Sequence, residues 1–370
     1  MKSFLQRRIN RIYIMLGNSC NMNCAYCLQH PLVNGQLTQK INPDIYDFFG
    51  QISQETGGKR LRLIFYGGEP LLYFSAIRQI VVEAEKRGLP LGYGVISNGK
   101  AITDEIVDFF NVHDFSVTIS WDGYRTKNTR GCDVFAQGEL KARLLRIRHL
   151  GVSGVISSAA YPLELLETFQ HLSDEYQALQ GHPLAVNLDA IMDTGLTNRW
   201  LLHIDYERVS CEMRQLASAY VTNIAEEQAR VGNSIKMAYM ESILRQASQF
   251  YLKQRGQVRR QTAYCGNGLT VLNVDLKGNL YACHNVREKA GSIYSDFFTY
   301  LQNILAGETL MRHRQKCLAC EALAFCKGGC KLVRDKTEYC KLQRALFVPA
   351  LEILLQKGYE LLINKEEASC

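Results

Sequence analysis

No stretch of this 370-residue chain approaches the roughly 18 consecutive apolar residues of a membrane-spanning helix. The best late run, Ala345–Leu355, is broken by Pro349 and Glu352. An export signal is also missing. Lys2, Arg7 and Arg8 resemble a basic n-region, but the apolar run Ile12–Leu16 is too short for a signal core. It leads into Gly17-Asn18-Ser19-Cys20 rather than a cleavage site. Low-complexity tracts and fixed-period repeats are absent too, which excludes solenoids and disordered linkers. With 47% apolar and 21% charged residues the chain is globular. Its length suits one large domain with a smaller one. Without an export signal, the thirteen cysteines point to metal sites in a reducing cytoplasm, not to disulfides. The expected location is cytoplasmic, with no membrane partner.

The formal net charge of +7 would suit an acidic partner or nucleic acid. Ten metal-bound thiolates, partly offset by cluster cores, would remove roughly four of those charges. The basic groups at Arg143–Arg148 and Arg255–Arg260 read as solvated helix faces. Nucleic acid is therefore a disfavoured partner.

Between residue 11 and about residue 195, apolar strands alternate with amphipathic helices. Strands are predicted at Arg11–Leu16, Leu61–Tyr66, Gly92–Ser97, Phe115–Trp121, Ser153–Ala159 and Leu184–Ala190. Helices are predicted at Pro43–Glu55, Phe74–Arg87, Thr103–Phe110, Gly138–His149 and Leu163–Leu179. Six repeats of strand and helix predict an α/β fold with a parallel sheet or partial barrel. Polar or Gly-rich segments follow four of the strands: Gly17-Asn18-Ser19-Cys20, Gly67-Gly68-Glu69-Pro70, Ser97-Asn98-Gly99 and Asp122-Gly123. Barrel active sites are built from such loops, so these segments should converge. Residues 203–255 read as helix, with Val209, Met213, Leu216, Tyr220 and Ile224 at helical spacing. Thr270–Val274 and Leu280–Ala282 read as a hairpin with Gly278 in its turn. A helical pattern through Leu342–Leu362 closes the chain.

Ten of the cysteines form two groups. Cys20, Cys24 and Cys27 are spaced C-x3-C-x2-C directly after the first strand. Three thiolates on a four-iron cluster leave one iron open to bind and reduce a ligand, which points to redox enzymology. Soft thiolates also suit zinc, with His30 as the nearby fourth ligand. The second group reads C-x12-G-x4-C at Cys265, Gly278 and Cys283, then C-x2-C-x5-C-x3-C at Cys317, Cys320, Cys326 and Cys330, then Cys340. A zinc ribbon is the alternative for these.

The triplet, the Gly67-Gly68-Glu69-Pro70 loop and the Ser120-Trp121-Asp122-Gly123 segment together resemble the radical S-adenosylmethionine (SAM) superfamily. The resemblance implies a partial (β/α)6 TIM-type barrel over residues 11–200. It implies a SAM-binding 4Fe-4S cluster on Cys20, Cys24 and Cys27, whose open iron chelates the amino and carboxylate groups of SAM. Reductive cleavage would then give methionine and a 5′-deoxyadenosyl radical. An external reductant such as flavodoxin or ferredoxin would supply the electron. Gly67 and Gly68 permit close backbone approach, and Glu69 is expected to orient the SAM amino group. Ser97, Asn98, Ser120 and Asp122 suit the ribose and carboxylate, although each could be a turn former or cap. Arg130 could pair with the SAM carboxylate or lie on the surface.

The later cysteine pattern resembles the SPASM extension of radical SAM enzymes. It implies residues 261–345 as an auxiliary-cluster domain, after a helical connector at 201–260 and before a helix and tail at 346–370. Seven thiolates suit two auxiliary 4Fe-4S clusters, making three clusters in all. By the family's interleaved ligation, one set is Cys265, Cys283 and Cys330, and the other is Cys317, Cys320, Cys326 and Cys340. The first set is one thiolate short, because Gly266-Asn267-Gly268 occupies the stretch where some relatives carry another cysteine. Cys132 could donate a hydrogen atom, Cys211 reads as helix core and Cys370 as tail.

SPASM-bearing relatives mostly modify ribosomally made peptides or mature sulfatases. The expected function is therefore hydrogen abstraction from a peptide or protein side chain, with the peptide threaded across the barrel mouth. The second reading is anaerobic sulfatase maturation. In that subfamily an aspartate follows the cysteine of the G-x4-C element. Here the position holds His284, a candidate catalytic base. A third class is a non-catalytic iron–sulfur carrier or nucleic-acid module. Only about ten residues precede the first strand, so substrate recognition is expected from the barrel, the helical segment or a separate protein.

Overall fold

The computed structural model describes residues 9–29, 40–225, 234–251, 265–266, 268–306 and 315–358. The chain forms two compact units. The first comprises residues 1–121, 126–153 and 265–309, and the second residues 122–125, 154–264 and 310–370.

The first unit is built on an open sheet. Strands β1 (Arg11–Met15), β2 (Leu61–Tyr66), β3 (Leu91–Ser97), β4 (Ser116–Ser120) and β5 (Leu150–Ile156) pair in parallel, each with the next. On the other side of β1 lies β7 (Val271–Asp275), also parallel, with Arg11 opposite Val271 and Met15 opposite Asp275. Strands β8 (Asn279–Tyr281) and β9 (Lys289–Ser292) extend that edge antiparallel. Between the parallel strands run α1 (Asp44–Glu55), α2 (Phe74–Lys86), α3 (Asp104–Val112), α4 (Thr126–Arg130) and α5 (Gly138–Leu145). The reason is the side-chain pattern. Ile12, Ile14, Leu63 and Phe65 are fully buried on alternate strand positions. Phe49 and Ile52 on α1, and Ile77, Ile80 and Val81 on α2, recur at helical spacing and are equally buried. Phe115, just before β4, packs against Phe65, Tyr93 and Phe110 at centroid distances of 5.9, 5.4 and 4.7 Å. Thr103 caps α3, its hydroxyl accepting from Ile106 N at 3.3 Å.

The second unit takes in the end of β5 from Gly154, the strand β6 (Ala185–Ala190) and a helical body. Helix α6 (Pro162–Gln180) opens with proline in its first turn and stops at Gly181, whose φ of 80° ends the helix in a left-handed turn. Helices α7 (Tyr206–Ala225) and α8 (Ile235–Tyr251) follow. Val209, Met213 and Leu216 on α7 and Met240, Ile243 and Leu244 on α8 are buried. After the short turns α10 (Gln315–Leu318) and α11 (Leu323–Cys326), α12 (Lys336–Ile353) packs on α7 and α8. Helix α9 (Phe297–Ala306) belongs to the first unit.

Three expectations shift. Strand β5 begins at Leu150, three residues earlier than predicted, because the segment taken as the end of α5 is a turn and Leu150 and Val152 are core. The last helix starts at Lys336, where Asp335 accepts from Thr337 N (2.8 Å) and Glu338 N (3.4 Å), so Cys340 lies on it. Cys211 is exposed, not core, since the buried face of α7 runs through Val209, Met213 and Leu216 instead. Cys370, His30 and the Arg255–Arg260 cluster lie outside the described residues. Among the described residues, no helix is long and apolar enough to cross a membrane.

Candidate active site

The loops after β1, β2 and β3 meet through hydrogen bonds. Gly68 N donates to Gly17 O at 2.9 Å and Glu69 N to Ser19 O at 2.8 Å. Ser19 N in turn donates to the hydroxyl of buried Tyr73 at 3.0 Å. The two backbones lie so close that a methyl group on Gly68 would meet Ser19 O and stand 2.6 Å from Asn18 O. Both glycines of the Gly67–Gly68 pair are thus required by contact with the segment leading into Cys20.

Glu69 occupies the centre. It is 1% exposed. Its Oε1 accepts from Leu71 N (2.9 Å) and Ser97 Oγ (2.7 Å), and its Oε2 from Asn98 N (2.8 Å). Ser97 Oγ itself accepts from Gly99 N at 2.9 Å, so the serine proton points at the carboxylate. Burial pushes the Glu69 pKa upward, and the three donors oppose that rise in part. Two of the three partners are main-chain N–H groups that can only donate, and they favour the ionised form. Among the described residues no cation pairs with Glu69. That combination fits a cationic ligand such as the amino group of SAM.

Asn98 turns its side chain toward the cysteine loop. Its Nδ2 donates to Asn21 Oδ1 at 2.8 Å and lies 3.8 Å from Cys20 Sγ. On the other side of the same loop, Ala25 N donates to Thr129 O at 2.8 Å. Arg130, 9% exposed, sits 5.2 Å from the ring centroid of Tyr26, between Cys24 and Cys27. Ser120 ends β4, half-buried and opposite Ser153 in the ladder. Asp122, 1% exposed, accepts from Val155 N at 3.0 Å through Oδ1. The Trp121 indole between them donates to Asp133 at 3.0 Å.

His284 is held by rings. It stacks on Tyr13 at 4.6 Å and meets Tyr66 edge-on at 4.5 Å. Its Nδ1 lies 3.3 Å from Asn273 Oδ1. Its backbone oxygen accepts from Gln29 Nε2 at 3.0 Å, two residues after Cys27. Burial pushes the imidazole down to about 4, so the ring is neutral at neutral pH. With Nδ1–H donated to Asn273, Nε2 keeps its lone pair.

Among the described residues no cysteine is in a disulfide. Among the described residues, no three His, Cys, Asp or Glu side chains are drawn to the spacing of a bound metal ion. Their surroundings nevertheless fit iron–sulfur ligation. The backbone N–H two residues on points at the sulfur of Cys20 (3.4 Å), Cys283 (3.4 Å) and Cys330 (3.5 Å). A thiol accepts such bonds weakly, and a cluster thiolate accepts them well. Cys265 and Cys283 belong to the first unit, and Cys317, Cys320, Cys326, Cys330 and Cys340 to the second. The Cys326 thiol is pushed up to about 12, first by burial and then by Cys340, Cys317 and Cys320 against the Gly328 N–H. These four sulfurs therefore sit within electrostatic reach of one another. Cys326 and Cys330 pack with Val333 and Tyr339 in a small buried core. Cys132 accepts from Gln137 Nε2 at 3.1 Å.

Sequence reasoning missed Asn21, Gln29 and Tyr73, whose partners lie 77, 255 and 54 residues away. No periodicity or spacing carries that information.

No family model matches the chain. A serine-type anaerobic sulfatase-maturating enzyme of Klebsiella aerogenes is 23% identical, over 85% of this chain and 78% of the relative. A cysteine-type anaerobic sulfatase-maturating enzyme of Clostridium perfringens is 20% identical, over 94% of this chain and 95% of the relative. Among solved structures, native anSMEcpe with bound AdoMet and Cp18Cys peptide superposes with a TM-score of 0.64 at 17% identity, covering 95% of this chain and 99% of that one. SuiB of Streptococcus suis bound to its precursor peptide SuiA gives 0.59 at 17% identity, covering 90% and 77%. The structures share the fold, a parallel α/β partial barrel followed by a cysteine-rich region. Taken with the cysteine triplet and the loops gathered around it, the chain is a radical SAM enzyme, related at a distance but along most of its length to the anaerobic sulfatase-maturating enzymes and to SuiB.

Proposed function

We propose that this enzyme uses a 4Fe-4S cluster on Cys20, Cys24 and Cys27 to cleave SAM to a 5′-deoxyadenosyl radical, which takes hydrogen from a peptide or protein side chain. The observation that carries this reading is the convergence of the Cys20 loop, the Gly67–Pro70 loop and Asn98 through the bonds described above. Glu69 presents a buried negative charge for the SAM amino group. Gly67 and Gly68 keep its loop against Gly17–Ser19. Ser97, Ser120 and Asp122 are assigned to the ribose and carboxylate, and Arg130 holds the cysteine loop through Tyr26. His284, with its Nε2 lone pair, is the candidate base. Two auxiliary clusters are assigned to the seven later cysteines, an external flavodoxin or ferredoxin supplies electrons, and the enzyme works in the cytoplasm.

The test uses anaerobically reconstituted protein with SAM and dithionite. 5′-Deoxyadenosine should accumulate, and should vanish when Cys20, Cys24 and Cys27 are replaced together. A peptide deuterated at the attacked carbon should pass deuterium into 5′-deoxyadenosine. Label arriving only from a nucleotide, sugar or free metabolite would defeat the peptide reading and leave the radical SAM reading standing.

Sulfatase maturation is the second reading, favoured by the names of the sequence relatives. Against it stands His284 in the aspartate position, stacked on Tyr13. Mass spectrometry of a sulfatase-derived peptide after turnover separates the two, since formylglycine has a distinct mass and forms oximes.

A further inference from the structure

The orientation of the Asn98 amide is fixed. Its Oδ1 accepts from Lys100 N at 2.9 Å. Exchanging oxygen and nitrogen would turn an NH2 group onto that N–H and set donor against donor. The NH2 group therefore faces the cysteine loop. One proton goes to Asn21 Oδ1 at 2.8 Å, and the group lies 3.8 Å from Cys20 Sγ, within reach of a long N–H···S bond. Cys20 Sγ already receives Met22 N at 3.4 Å from its own loop. The sulfur is thus flanked by a main-chain donor and by a side-chain donor from the end of β3. Asn98 is 8% exposed, so water competes poorly for the amide.

Its backbone N–H serves a different partner, Glu69 Oε2 at 2.8 Å. Asn98 thus faces a buried carboxylate with its main chain and the Cys20 sulfur with its side chain. Reducing a cluster adds negative charge that spreads onto its sulfurs. An N–H directed at one of them stabilises the reduced form, and hydrogen bonds to sulfur are among the determinants of cluster potential.

We propose that Asn98 and Asn21 act as a positioning pair: Asn21 Oδ1 fixes one N–H of the Asn98 amide, and the other, aimed at Cys20 Sγ, raises the reduction potential of the SAM-binding cluster. This rests on the reading that Cys20, Cys24 and Cys27 hold that cluster. The pair makes reduction easier for whatever donor serves the enzyme, and neither asparagine need touch SAM or substrate to do so.

The experiment is an EPR-monitored redox titration of reconstituted full-length protein, with iron content measured on each sample. Asn98→Ala removes the donor. Asn98→Asp removes it while keeping the Oδ1 acceptor for Lys100 N, so the turn survives. Both should retain wild-type iron and shift the midpoint of the SAM-binding cluster to more negative values. At fixed potential the ratio of reduced to oxidised cluster should fall roughly two- to tenfold. Asn21→Ala should shift it in the same direction by less. An unchanged midpoint in Asn98→Ala would overturn the proposal, because the carboxylate of Asn98→Asp shifts the midpoint by its charge alone. Loss of iron in both would also overturn it, by making Asn98 a purely structural support. The triple cysteine variant tests the reading underneath: if it keeps its full iron and its EPR signal, the cluster assignment fails whatever Asn98 does.

Discussion

Glu69 carries a charge that protein folding would ordinarily avoid burying. Its three donors give it the solvation that water would otherwise provide. Glutamine at this position keeps the shape, removes the charge and turns an NH2 group toward groups that are themselves donors. Glu69→Gln should retain cluster iron but weaken SAM binding roughly ten- to a hundredfold, as expected when a hydrogen bond to a charged group is lost. Equilibrium dialysis with labelled SAM measures this, and unchanged affinity would place Glu69 outside the SAM site. The residues legible in the sequence were those whose meaning lies in local spacing: Cys20, Cys24 and Cys27, and the Gly67–Pro70 run. Asn21 and Tyr73 were not legible. Their role comes from which loop they touch, and chain folding alone decides that.

At the scale of elements, one loop contact and one turn lie directly beside proposed cysteine ligands. The first is the contact between the β1 and β2 loops. Gly68→Ala places a methyl group against Ser19 O and Asn18 O. Neither carbonyl can retreat without moving the segment into Cys20. The expected cost is about 1–3 kcal/mol, the range for overpacking a tight site. Chemical denaturation should read it, together with reduced iron retention. The second is the β7–β8 turn. Asp275 accepts from Lys277 N, Asn279 N, Asn279 Nδ2 and the Tyr281 hydroxyl at 2.8–3.0 Å. Gly278 takes φ of 84° within it. Asp275→Ala should destabilise the hairpin by about 2–3 kcal/mol and lower the iron bound by the cysteine that follows it, Cys283. Iron assay and thermal melting check this. The sequence disclosed the hairpin because its turn is local. It did not disclose that β7 lies beside β1, since a parallel pair joins strands about 260 residues apart.

For the whole molecule, the proposed clusters would couple metal binding to folding. Burial first, and then the nearby sulfurs, push the Cys326 thiol up to about 12, so it stays protonated at neutral pH until a metal core displaces the proton. Fully reconstituted protein should carry about twelve irons in three four-iron clusters. Removing iron with a chelator under reducing conditions should lower the melting temperature and raise protease sensitivity. Iron analysis that finds one cluster, or zinc in place of iron on the later cysteines, would count against this assignment. The alternation of strand and helix exposed the fold class from sequence alone, because burial imposes a period on each element. The division into two units was less visible, because contacts between distant segments set it.

The chain has two tryptophans, and they differ sharply. Trp121 is 4% exposed and bonded to Asp133, between Ser120 and Asp122, while Trp200 is 41% exposed. A Trp200→Phe protein would emit from Trp121 alone. Iron–sulfur clusters absorb where indole emits, so loading the first cluster should quench that emission by energy transfer. The enzyme thus contains its own optical probe, one that would follow cluster assembly in real time without a label or a substrate.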